Sequence, residues 1–294
     1  MEDNDIMTRE DRIRHPIAKG IFYPSDPGKL DETLQNHLSE SEETIRGIEN
    51  QEGETISALI VPHASYQLAG TVLASAFNML MLKDRPDRFK RVILLSTVHR
   101  DEEKKVFLPD FHAFRIPTAD IPVDIEGIQK LIGYHPLFEL NDDPHREEHA
   151  QEIVLPFLHR CLPDARILPL LLGSNSPGLI NPVSRSLRLF IEAEADSTLI
   201  IVSTNLSRFT KIHIARDQAE KISAALISGP PRISSALQSA GTSAICGSGG
   251  ILSTVACFQH RIRFIELMTS SSGPIRPENR EVWYGSFCGL HIEE

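Results

Sequence analysis

Three of the strongest apolar runs in this chain each close on a polar residue of a kind that binds metal or substrate. They are Ala58-Leu59-Ile60-Val61 before Pro62-His63, Val92-Ile93-Leu94-Leu95 before Ser96-Thr97-Val98-His99, and Leu199-Ile200-Ile201-Val202 before Ser203-Thr204-Asn205. Short continuous apolar runs bounded by polar loops predict strands buried on both faces, and open α/β sheets place their ligands beyond the carboxyl ends of such strands. A fourth residue of this kind, Cys246, stands just before Gly247-Ser248-Gly249-Gly250 and an apolar helical stretch. Function is therefore to be sought where His63, His99, Asn205 and Cys246 converge.

Strand and helix patterns alternate along the rest of the chain. Strands are expected over 56–61, 91–96, 104–108, 166–172, 198–203 and 281–292, and helices over 68–82, 124–132, 149–161, 178–193, 213–228 and 247–259. Such alternation implies a layered α/β domain, with helices against a central, mostly parallel or mixed sheet. An earlier helix opens at Ser25-Asp26-Pro27, a capping residue followed by proline, and carries Leu30, Leu34 and Leu38 along one face. At 294 residues and 41% hydrophobic content the chain can bury a large core. It reads as one domain over residues 15–294 behind a disordered tail at 1–14. Ser39 to Glu54 reads as an acidic linker, and Thr269-Ser270-Ser271-Ser272-Gly273-Pro274 as a flexible loop.

The formal charge of -10 argues against a nucleic-acid partner, which needs clustered Lys and Arg to neutralise phosphates. The start is polar without an apolar signal core, and no stretch approaches the ~18 apolar residues of a spanning helix, so the expectation is a cytoplasmic protein without a membrane partner. Composition carries no signal for an oligomeric state. Cys161, Cys246, Cys257 and Cys288 show no C-x-x-C spacing, which excludes the common zinc-ribbon patterns and offers no disulfide framework. A G-x-S-x-G elbow, a P-loop, a G-x-G-x-x-G turn and an H-E-x-x-H helix are all missing, so serine hydrolase, NTPase, dinucleotide enzyme and zincin readings lose their usual support.

Neutral imidazole is the commonest metal ligand, and His63 and His99 would each be held at the end of a separate, rigid strand. Cys246 at a helix start would sit where the macrodipole and free N–H groups favour a thiolate, although its glycines can also be read as devices for close packing. Together the three make a two-histidine, one-thiolate site suited to copper or iron, with zinc chemically acceptable. In Glu148-His149-Ala150-Gln151-Glu152, His149 and Glu152 stand three apart at a helix start and so share a face. That suits an acid/base pair or a hydrogen-bond partner for a ligand histidine, against the plainer reading of a solvated acidic first turn.

Several pieces, in order through nearly the whole chain, resemble the Memo family. They are Gly20-Ile21-Phe22-Tyr23-Pro24, Pro62-His63-Ala64-Ser65-Tyr66 with Ala69-Gly70, the Leu94 to His99 strand, Glu148 to Glu152 with Leu155-Pro156-Phe157-Leu158, Leu170 to Gly173, Val202 to Ser207, and Ala244-Ile245-Cys246-Gly247. The resemblance implies an α/β domain similar to the class III (LigB-like) non-haem iron extradiol dioxygenases, with His63, His99 and Cys246 where that family places metal ligands. This chain departs from it at Ser203-Thr204-Asn205-Leu206-Ser207-Arg208, where the family carries Ser-Ser-Asp-Leu/Phe-x-His, so an amide replaces a carboxylate and Arg208 replaces a histidine. Ser65 also replaces the glycine of Pro-His-Ala-Gly-Tyr.

The leading expectation is a redox-metal-binding protein, an oxidoreductase in which His63, His99 and Cys246 bind copper or iron while Glu148, His149 and Asn205 line the pocket for a small-molecule or peptide ligand. The competing expectation is a non-enzymatic module that captures an anionic peptide or metabolite, with Arg208 and the histidines as counter-charges. A third is a cysteine-dependent hydrolase with a histidine base, for which the sequence names no orienting third residue.

Overall fold

The computed structural model describes residues 12–48, 54–99, 103–194, 197–239, 245–275 and 278–292. Numbering strands and helices along the chain, four parallel strands lie side by side at its centre: β2 (Glu54–Val61), β9 (Thr198–Ser203), β3 (Arg91–Thr97) and β8 (Arg166–Leu172). Every residue of β3 and β9 is buried, as runs of Val, Ile and Leu require when helices cover both faces. On the β2 side the sheet continues antiparallel through β13 (Trp283–Ile292) to β11 (Ile262–Ser271). On the other side β4 (Val106–Leu108) runs antiparallel to β8 and parallel to the edge strand β7 (Phe138–Leu140). The expected central mixed sheet flanked by helices is thus the observed one.

Helix α1 (Pro27–Arg46) stacks on α2 (Tyr66–Lys83), which packs against β2, β11 and β13. Helices α6 (Pro177–Glu194) and α9 (Ser248–Cys257) pack on each other and on β9, with α9 also reaching β3. The helices α3 (Ile125–Tyr134), α4 (Asp142–Glu147), α5 (Leu155–Cys161), α7 (Ile212–Ile227) and α8 (Pro230–Ser239) complete the layers. Among the described residues no helix is long and apolar enough to cross a membrane.

Four local expectations are corrected. The linker read from Ser39 is helical as far as Arg46, because Ser41 and Ile45 extend the buried stripe of Leu30 and Leu34, and Asn78 Nδ2 donates to Leu38 O and Ser41 Oγ; residues 49–53 lie outside the described residues. The loop read from Thr269 begins as strand, since Thr269, Ser270 and Ser271 pair with Gly285, Tyr284 and Trp283 through their backbones, which small polar side chains do not hinder. The helix read from His149 starts only at Leu155, after a 3-10 turn at Glu152–Val154. Residues 1–11 of the tail lie outside the described residues, but Ile13 and Arg14 form β1, which pairs with β5 (Ala113–Ile116); β6 (Ala119–Pro122) completes that small sheet. Two further short strands, β10 (Thr210–Lys211) and β12 (Arg280–Glu281), pair with each other.

Candidate metal centre

The parallel register delivers the polar strand ends to one place. Val61 pairs with Ser203, and Thr204 N donates to Val61 O, so the next residues of both strands leave the sheet side by side. His63 N accordingly donates to Asn205 Oδ1 at 3.3 Å. β3 lies against the opposite side of β9 and brings His99 to the same edge. Cys246 immediately precedes Gly247, the N-cap of α9. A Cβ on Gly247 would lie 2.5 Å from Thr204 Cβ, and one on Gly250 would lie 2.9 Å from Val202 Cγ1, so these glycines let α9 press its start against β9. Close packing and sulfur placement, the two readings of this motif, are one device.

The imidazoles are oriented from behind. Ser203 Oγ donates its proton to Ala150 O at 2.9 Å, so its lone pair accepts from His63 Nδ1 at 3.0 Å. That hydrogen bond keeps the Nδ1 proton behind the ring and turns His63 Nε2 toward Cys246 Sγ, 3.5 Å away. His99 Nδ1 and its backbone N both donate to Glu148 Oε2, at 3.0 and 3.1 Å, which turns Nε2 of that ring toward Cys246 too. Carboxylate or hydroxyl support of this kind behind an imidazole fixes its tautomer and raises its basicity toward a metal. Ligand atoms of His63, His99 and Cys246 all lie within 4.8 Å of one another. A tetrahedral ion with bonds of 2.0–2.3 Å holds its ligands about 3.3–3.8 Å apart, so small side-chain rotations would close this group on an ion.

The electrostatics favour ligand forms of sulfur and carboxylate. Burial pushes the Cys246 thiol up, but the charge of His63 and hydrogen bonds from His63, His99 and Thr204 outweigh it and hold the thiol well below its ordinary 9.0. Hydrogen bonds to Cys246 and Glu148 push His99 up to about 10 against the effect of burial. Burial would raise Glu148, yet the hydrogen bond and charge of His99 hold it at about 2. Together these groups form a thiolate–imidazolium–carboxylate array when no metal replaces the shared protons.

His149 joins this group. Its ring lies 6.0 Å from that of His63 and 5.6 Å from that of His99, and its Nδ1 lies 3.3 Å from Glu148 Oε1. One buried carboxylate thus accepts from His99 and lies beside a second histidine. Burial pushes His149 below its ordinary value. Glu152 does not join. Its fully buried side chain turns away, its carboxylate pairing with Arg14 and accepting from Ile17 N, Ala18 N and Tyr23 Oη. Every lone pair is used by the fold, and because His149 lies before the first helical residue, Glu152, the two do not share the face that a continuous α-helix would have given them. The acid/base pair expected of these two residues is corrected on that geometry.

Sequence reasoning did not single out Ser203, Thr204 or Asn175 as parts of the site. Thr204 Oγ1 lies 3.4 Å from Cys246 Sγ and accepts from Gly247 N, while Asn175 Nδ2 donates to Cys246 O. Ser203 and Thr204 close an apolar run as the histidines do, a signal that could have found them. Asn175 follows β8 after Gly173, where no motif marks it.

The group forms the floor of a cavity of about 420 Å³ walled by Thr97, Ser174, Asn175, Asn205, Arg208 and Phe209 among others. Residues 14–287, from the end of β1 to the middle of β13, match the family model of Memo-like proteins. The chain belongs to the Memo family. A MEMO1 family protein of Methanobrevibacter smithii is 28% identical over 213 residues, covering 71% of this chain and 73% of that one. Another from Methanosarcina barkeri is 27% identical over 241 residues, 81% of this chain and 84% of its own. The solved structure of an uncharacterized protein, JW3007, from Escherichia coli K12 covers 79% of this chain and 99% of its own at a TM-score of 0.53; at 13% identity it shows likeness of fold alone. For this Memo chain the layered α/β fold is therefore supported by both comparisons, and its His-His-Cys group stands at the strand ends.

Proposed function

We propose that His63, His99 and Cys246 bind a redox-active metal, copper or iron, and that this Memo-family protein is an oxidoreductase acting on a small molecule in the cavity above it. The observation that carries the reading is the direction of the two imidazoles: each has its Nδ1 hydrogen committed behind the ring, so both Nε2 atoms are presented to one ionised sulfur. Two imidazoles and a thiolate suit copper or iron and tolerate zinc. Such a metal would supply one-electron chemistry at the cavity floor. Glu148 fixes His99 and steadies His149, which stands beside the ligand group with an uncharged ring able to take or give a proton. Asn205 fixes the backbone of His63 through Oδ1 and offers its Nδ2 hydrogens to the cavity.

A second reading has a specific observation behind it. Cys246, His99 and Glu148 also stand in the order nucleophile, base and orienting acid, with Glu148 the third residue that a cysteine hydrolase requires. Elemental analysis of protein purified without added metal, then reconstituted with Fe(II), Cu(I) or Zn(II), separates the two. Near-stoichiometric iron or copper in the wild type, lost in a His63→Ala/Cys246→Ser double mutant, supports the metal centre. If neither protein holds metal while iodoacetamide rapidly alkylates Cys246 in the wild type, the first reading fails and the second takes its place.

A further inference from the structure

The wall of the cavity is as one-sided in its hydrogen bonding as the floor is in its ligands. Arg208 lines it, is exposed, and has no ion-pair or hydrogen-bond partner among the described residues. Most other guanidinium groups whose contacts are described pair with a carboxylate, as in Arg14–Glu152, Arg91–Asp124, Arg160–Asp31 and Arg263–Glu54. Among the described residues lining this cavity there is no Asp or Glu, in a chain whose formal charge is -10. An unpaired guanidinium in a carboxylate-free cleft of an acidic protein is what a site for an anionic ligand requires, since the ligand then supplies the missing counter-charge.

The neutral groups around it point the same way. Because Asn205 Oδ1 accepts from His63 N, its amide nitrogen turns away from that bond, and no acceptor among the described residues takes its hydrogens. Ser174 Oγ accepts from Ser176 N at 3.4 Å, so its hydroxyl hydrogen is left to donate. By contrast, Thr97 Oγ1 donates to Asn175 Oδ1, which also accepts from Gly249 N at the start of α9. Among the described residues of the wall, Arg208, Asn205 and Ser174 thus each keep a donor free. Val98, Phe209 and Val282 add apolar surface beside them, and Phe209 is 46% exposed.

We infer that Arg208, with Asn205 and Ser174, is the recognition site for the carboxylate of a small organic acid, whose body lies along Val98, Phe209 and Val282 and whose far end reaches the His63, His99 and Cys246 group. The planar fork of a guanidinium matches a carboxylate in two parallel hydrogen bonds, and about 420 Å³ limits the ligand to a small molecule. The inference deepens the oxidoreductase reading by naming a substrate class, and it rests on that reading only for what happens at the far end.

Saturation-transfer NMR with acetate, butyrate and benzoate, each set against its own amide, tests it on zinc-reconstituted protein, where the metal is redox-silent. The expected result is that at least one acid binds about tenfold or more tightly than its amide in the wild type. The preference should fall to near unity in Arg208→Gln and return in part in Arg208→Lys, with zinc content unchanged in both variants. No binding by any acid, equal binding of every acid and amide, or a preference that survives Arg208→Gln overturns the inference. The same titrations on metal-free protein keep the two readings apart: an Arg208-dependent acid preference without metal uptake upholds the anion site while the metal centre fails, and metal uptake with no such preference does the reverse.

Discussion

Replacing Glu152 by Gln should destabilise the fold severely while leaving the group of His63, His99 and Cys246 intact. The side chain is fully buried, and Arg14, itself only 2% exposed, would lose its carboxylate partner and keep only the carbonyls of His145, His15 and Glu148. Leaving one partner of a buried ion pair uncompensated costs about 3–5 kcal/mol. The amide also presents an NH2 group to one of the two donor pairs, either Arg14 with Ile17 N or Ala18 N with Tyr23 Oη. Tyr23 can rotate its hydroxyl to accept, but a buried backbone N–H that loses its acceptor costs a further ~1–3 kcal/mol. These penalties overlap, and a total of roughly 3–6 kcal/mol is a large part of the ~5–15 kcal/mol that holds a domain folded. Urea unfolding followed by circular dichroism should show a lower midpoint with the slope unchanged. Tyr23→Phe, which removes one donor and leaves the ion pair, should cost only about 1 kcal/mol and guards against outright misfolding of the first variant. If Glu152→Gln loses less than ~1 kcal/mol, or loses metal affinity while keeping its stability, the purely structural assignment of Glu152 is wrong.

Glu148→Gln removes the charge behind His99, and metal affinity should fall about 10–100-fold in a competition titration with a chromogenic chelator; an unchanged affinity would show that Glu148 does not tune the site. Gly247→Ala places a Cβ against Thr204 and 3.2 Å from Ser203 O, so α9 must shift; unfolding should register a loss of about 1–3 kcal/mol together with weaker metal binding, and unaltered stability would refute the close-approach argument. Burial holds His145 down at about 4, between Phe107 O and Gln151 Oε1, so the folded protein keeps it neutral at pH values where the unfolded chain protonates it. Its contribution is complete above about pH 6.5 and declines by about 3 kcal/mol as the pH falls to about 4. The wild type should therefore lose more stability across this window than His145→Gln, and parallel stability curves would contradict the assignment.

Much of this molecule is legible in its sequence because hydrophobic burial acts on local patterns. The all-apolar runs at 92–95 and 199–202 could be accommodated only as strands covered on both faces, and the polar residues that close them had to stand at the sheet's carboxyl edge. His63, His99 and Asn205 were visible for that reason, and Cys246 because it precedes the glycine-rich start of α9. Residues whose meaning depends on distant partners were not. Glu148 and Glu152 are four apart in one acidic stretch, yet one supports two histidines and the other neutralises Arg14, 138 positions earlier, and nothing local separates them. The strand at Ile262–Ser271 escaped notice because its edge position tolerates Arg263, Glu266 and three small polar residues, which only the pairing with β13 holds extended. That His63 and Cys246, 183 residues apart, come within 3.5 Å likewise follows from strand order: β9 inserts between β2 and β3 and carries Thr204 under the start of α9. Local periodicity sets which segments are buried, whereas the neighbours each segment meets are decided by the non-local pairing of the sheet, which no short window of residues encodes.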